Sequence, residues 1–167
     1  MIDANAMGVP VTAAFCVLMT VVIYWDIRHM RIPHWLLAII TALFLFAVYP
    51  SLETGEVLLR VLAAGVVFAL CMAAFATRRL GGGDAKLLPL MMLFVSPADW
   101  ALFALCLSVG LIAGLTTVRI LRHGTLKGRT NWTGIAAQDR YPLGPGIGLA
   151  CILFALCGPM IAQLFQS

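Results

Sequence analysis

Residues 57–95 read VLLRVLAAGVVFALCMAAFAT-RRL-GGGD-AKLLPLMMLFV. The first block, residues 57–77, is apolar apart from Arg60, which lies near one end, where its long side chain can snorkel towards the membrane surface. It is long enough to cross a bilayer, since a spanning helix needs about 20 mostly apolar residues. The last block, residues 85–95, is apolar apart from Lys86, but it is short and contains Pro89. At 1.5 Å per residue it makes a helix of roughly 17 Å, against a hydrocarbon core of about 30 Å. It therefore reads either as a short helix packed inside a bundle or as a re-entrant segment. Irregular backbone at membrane depth is tolerated only where protein or a water-filled cavity surrounds it.

Working outward, residues 9–25, 32–49, 100–118 and 143–165 are further apolar stretches. The fold expected is an all-α, polytopic transmembrane helix bundle of about six spans, the short fourth helix following the GGGD loop. The whole chain of 167 residues has the length of a single domain. Its composition, 62% hydrophobic and 11% charged, departs from soluble proteins in the direction a lipid solvent demands. Residues 1–14 carry Asp3 and no Lys or Arg, so the first apolar stretch is expected to be a permanent span and not a cleaved signal.

Charge sorting sets the orientation. With six spans, ten of the eleven basic residues fall on one side: Arg28, Arg31, Arg78, Arg79, Lys86, Arg119, Arg122, Lys127, Arg129 and Arg140. The other side carries only Arg60, beside Glu53, Glu56 and Asp99. The basic side is expected to be cytoplasmic, with both termini on the outer side. Topology thus accounts for the net charge of +4, and no nucleic-acid partner is needed. The sequon Asn131-Trp132-Thr133 lies in the polar stretch 119–140, on the wrong side for glycosylation.

Five cysteines, Cys16, Cys71, Cys106, Cys151 and Cys157, lie in apolar stretches without CxxC spacing, and read as packing residues. His29, His34 and His123 lack metal-like spacing, so no metal and no cofactor is expected. Trp25, Trp35, Trp100 and Trp132 read as interface anchors.

Two acidic residues stand apart. Asp26 ends the first span and Asp84 ends the glycine run, so both fall at the same cytoplasmic edge. An ionisable group near hydrocarbon is costly and tends to mark function. Gly81, Gly82 and Gly83 can adopt positive φ and admit a close backbone, so an extended peptide could lie against them and meet a carboxylate. The bland alternative is a plain interhelix turn; a phosphate cradle is disfavoured because GGGDAK lacks P-loop spacing. Paired carboxylates sharing a proton can split water across a peptide bond. Asp84 is expected to cap the fourth helix, and helix-dipole reasoning points to Asp84 as base and Asp26 as acid, although Arg28 argues the other way. Lys86 is expected to tune Asp84, to meet an acidic substrate residue, or simply to add to the positive side.

The pair Asp26 … Arg31-Ile32-Pro33 and Gly81-Gly82-Gly83-Asp84-Ala85-Lys86 resembles the type IV prepilin peptidase family, integral-membrane aspartic peptidases of the GxGD type. His34 stands where that family often has Asn. Tyr141-Pro142-Leu143-Gly144-Pro145 resembles the family's Pro-x-Gly-Pro turn. The resemblance covers about residues 18–150 and implies that Asp26 and Asp84 are catalytic, with Gly81, Gly82, Gly83 and Lys86 on the substrate side. It implies a prepilin or pseudopilin substrate, cut at the cytoplasmic face of a bacterial inner membrane after a short basic leader, with pilus-assembly or secretion machinery as possible company. Larger members also methylate the new N-terminus and carry a cytoplasmic extension with CxxC pairs. This chain resembles the short branch of the Flp (tight-adherence) pili, so cleavage without methyl transfer is expected. Two other classes compete: a proton- or cation-coupled transporter using the same aspartates, and a non-catalytic assembly scaffold. Protection of both positions at the bilayer midplane would favour the first, and tolerance of both replacements the second.

Overall fold

The computed structural model describes residues 9–123 and 142–165, and over these the chain is helical without strands. Asp3, Trp132, the sequon, Tyr141 and the basic residues Lys127, Arg129 and Arg140 lie outside the described residues. The elements are α1 (Val9–His29), α2 (His34–Leu43), α3 (Thr54–Ala76), α4 (Asp84–Phe94), α5 (Trp100–His123) and α6 (Gly144–Phe165). A π-helical turn, Phe44–Val48, and a 3-10 turn, Tyr49–Ser51, prolong α2, and a 3-10 turn, Pro97–Asp99, leads into α5.

Four of these units are long and apolar enough to cross a membrane: Val9–His29, His34–Ser51, Thr54–Ala76 and Pro97–Leu121. They correspond to the first, second, third and fifth stretches expected from sequence, and α6 to the sixth. Their outer faces carry large exposed apolar side chains, among them Leu62, Val66 and Leu70 of α3 and Leu105 and Ile112 of α5. Such a surface is stable against lipid and not against water. The chain is a multi-pass membrane protein.

The fourth segment is the short helix inside the bundle. Ala85, Leu87, Met91 and Phe94 are all buried, and α4 packs chiefly against α3 while touching α2, α6 and the π turn. Phe94 holds its far end by ring contacts with Phe15 of α1 at 4.9 Å and Phe44 of the π turn at 5.4 Å between centroids. α6 packs against both α1 and α5. Small residues make this possible: a Cβ on Gly114 would come within 2.6 Å of the Gly146 backbone.

Arg60 does not snorkel. Its side chain is 2% exposed, and its guanidinium is turned inward, to Glu56 and to the carbonyl of Leu93.

Candidate active site

α1 ends just beyond Asp26. The Met30 N–H donates to the Asp26 carbonyl at 2.8 Å, and Met30 adopts left-handed backbone with φ 52. This turn, followed by extended Pro33 at the start of α2, swings Ile32 back towards the bundle, where it is buried.

Ile32 meets the glycine loop. A Cβ on Gly83 would come within 3.1 Å of the Ile32 backbone nitrogen and side chain, so the two motifs, about fifty residues apart, pack directly. None of Gly81, Gly82 and Gly83 has left-handed backbone. The expected positive φ is absent because the loop is already winding into α4: Gly83 has φ −69 and ψ −49, and the Ala85 N–H donates to the Gly81 carbonyl at 3.0 Å. The glycines serve close approach. At Gly81 a Cβ would lie 2.8 Å from Asp84 Oδ2, so the carboxylate can fold back over this residue. Gly81 and Gly82 remain exposed.

Asp84 is therefore not the cap of α4. Gly83 occupies that position with no side-chain cap bond, and Asp84 is the first helical residue. It is 7% exposed, and its Oδ1 is a buried oxygen with no hydrogen-bond partner among the described residues.

Asp26 is 4% exposed, and its Oδ2 accepts the Gly144 N–H at 3.0 Å. Gly144 is the first residue of α6, where backbone N–H groups have no partner within the helix. The contact admits only glycine: a Cβ there would lie 2.6 Å from Asp26 Oδ2. Sequence reasoning held Gly144 within the Pro-Leu-Gly-Pro match but assigned it no role.

The two carboxyl groups are close enough to interact electrostatically. Asp26 and Asp84 thus lie on neighbouring motifs, with Gly81 against the Asp84 carboxyl, Gly82 against Phe75 of α3 and Gly83 against Ile32. Lys86 does not join them: it is exposed and makes no ion pair with Asp84. Arg28 runs along the outside of α1, donating to the Tyr24 hydroxyl and lying 5.8 Å from the centre of its ring. Among the described residues, no three His, Cys, Asp or Glu side chains gather so as to hold a metal ion. Two buried carboxyls, one held by an amide donor and one with an open oxygen, can together move a proton to and from a bound water or carbonyl.

No curated protein and no solved structure matches the chain. The model of the type IV leader peptidase family matches residues 13–118, a span that includes Asp26, the Arg31-Ile32-Pro33 turn, the triple glycine and Asp84. With most of its length matched and both motifs inside the match, the chain belongs to the type IV leader peptidase family.

Proposed function

We propose that this protein is an aspartic endopeptidase that removes the short leader from type IV prepilins or pseudopilins, those of Flp-type pili in particular, at the cytoplasmic face of a bacterial inner membrane. The observation that carries this reading is that Asp26 and Asp84, both buried, stand on two motifs that pack on each other through Ile32 and Gly83, in a chain of a leader peptidase family.

In the mechanism proposed, the substrate backbone lies along the exposed Gly81 and Gly82, and its scissile carbonyl comes between the two carboxyls. The amide donor at the start of α6 stands at Asp26, not at Asp84. This reverses the roles expected from the helix dipoles of α1 and α4: Asp26 takes the proton from water, and Asp84 donates to the carbonyl oxygen through its open Oδ1. As the tetrahedral diol collapses, Asp26 passes its proton to the leaving amine while Asp84 regains one from the diol hydroxyl that becomes the new carboxyl, so the pair ends in its starting state. Orientation is part of the reading, with both termini outside; a reporter that is active only outside the cytoplasm, fused at the C-terminus, is expected to be active.

The test is purified chain in detergent with a prepilin, followed by mass spectrometry. A single cut at the end of the basic leader is the expected result. Intact prepilin with several different pilin substrates would count against the reading.

A further inference from the structure

A buried arginine beside the end of α4 away from Asp84 has no part in the chemistry above. Arg60 sits nearly two turns into α3, fully buried, in an apolar helix. Burying a guanidinium is costly unless it is paired and hydrogen-bonded. It is both: Nε and Nη2 donate to Glu56 Oε1 at 3.2 and 2.5 Å, and Nη1 donates to the Leu93 carbonyl at 2.8 Å. Leu93 is the next-to-last residue of α4, where carbonyls lack partners within the helix and a cation is favoured.

α4 is too short to reach both membrane surfaces, so the end away from Asp84 stops inside the bundle and is held there by protein contacts. The helix is fixed from within, at two ends. Gly83 against Ile32 holds the end that carries Asp84; at the other end Phe94 packs sideways on Phe15 and Phe44, and Arg60 ties the Leu93 carbonyl to α3. Asp26 is held separately, on α1 by Gly144. The height of Asp84 relative to Asp26 therefore depends on where α4 sits along α3. We propose that Arg60, braced by Glu56, is a positioning residue that sets the register of α4 and so the alignment of the two aspartates.

This inference rests on the peptidase reading only for its effect on rate, so the experiment has two readouts. Full-length wild type, Arg60→Met and Arg60→Lys are compared by hydrogen exchange of the α4 amides and by kcat and KM for prepilin cleavage. Methionine keeps the apolar volume but removes the donor; lysine can still reach the Leu93 carbonyl. Arg60→Met is expected to raise exchange in α4 about tenfold or more while α5 and α6 are unchanged. Its kcat is expected to fall about 100-fold with KM within about threefold, because misplacement of about 1 Å costs that much. Arg60→Lys is expected to recover most of both. Unchanged α4 exchange in Arg60→Met, a rise in KM in place of the fall in kcat, or no recovery with lysine would each overturn the proposal. Should the methionine variant not accumulate, Glu56→Gln decides: faster α4 exchange is expected, and wild-type exchange overturns the proposal. If wild type cuts no prepilin, the peptidase reading fails by itself and the exchange data still judge the positioning of α4.

Discussion

Replacing Gly144 by alanine adds one methyl group at the site and nothing else. That methyl would lie 2.6 Å from Asp26 Oδ2 and 2.8 Å from its Cβ and Cγ, where ordinary contact begins at 3.4 Å. Asp26 is buried in α1 and cannot swing out, so the carboxyl must retreat by about 0.8 Å or the start of α6 must lift. Either movement stretches the 3.0 Å hydrogen bond from the Gly144 N–H past the range in which it counts as one. A hydrogen bond to a charged group contributes about 1.5–3 kcal/mol. If that is lost wholly at the transition state, the rate falls about 10- to 150-fold. The assay is steady-state prepilin cleavage by full-length protein, with Gly65→Ala as control. Gly65 lies in α3 with open space around its Cβ, and alanine there favours the helix by about 1 kcal/mol. Gly65→Ala is expected to cleave as wild type does. Cleavage by Gly144→Ala within about twofold of wild type would refute the argument that Gly144 holds Asp26.

Gly83→Ala presses on the Ile32 backbone at 3.1 Å, so it is expected to slow cleavage by about tenfold, read by the same assay, since even a small misplacement of Asp84 is costly. Lys86→Ala is expected to change the rate by less than about twofold, because this exposed side chain makes no ion pair with Asp84; a large loss would give Lys86 a role in substrate binding. The pH–rate profile of kcat/KM is expected to be bell-shaped, because one carboxyl must be ionised and its partner protonated; a flat profile from about pH 4 to pH 9 would contradict a proton-sharing pair.

Much of this architecture could be read from residue order alone, for a physical reason. Span length is a one-dimensional property, so the apolar run 57–77 maps onto α3 (Thr54–Ala76), and the short run 85–95 onto α4 (Asp84–Phe94). Asp26 and Asp84 stood out because carboxylates beside hydrocarbon are conspicuous in any sequence. What depends on contacts between distant segments was hidden. Arg60 looked like a snorkelling residue because nothing local reveals that the carbonyl of Leu93 lies beside it. The triple glycine invited left-handed backbone, yet among the described residues it is Met30 and Arg78, in the turns after α1 and α3, that adopt it. Asp84 looked like a helix cap because its neighbours fit that pattern, whereas helix winding starts one residue earlier, at Gly83. The π turn at Phe44–Val48 lies in a uniformly apolar run, where no residue type marks a change of winding.

The most direct measurement is prepilin processing by wild type, Asp26→Asn and Asp84→Asn, each produced at equal level in the membrane and read by the gel shift of the pilin. Wild type is expected to remove the leader, and each asparagine variant to lose about 1,000-fold or more in rate, with any residual activity higher in Asp84→Asn because its amide can still donate to a carbonyl. Full processing by either variant would remove that aspartate from the chemistry and contradict the two-aspartate mechanism.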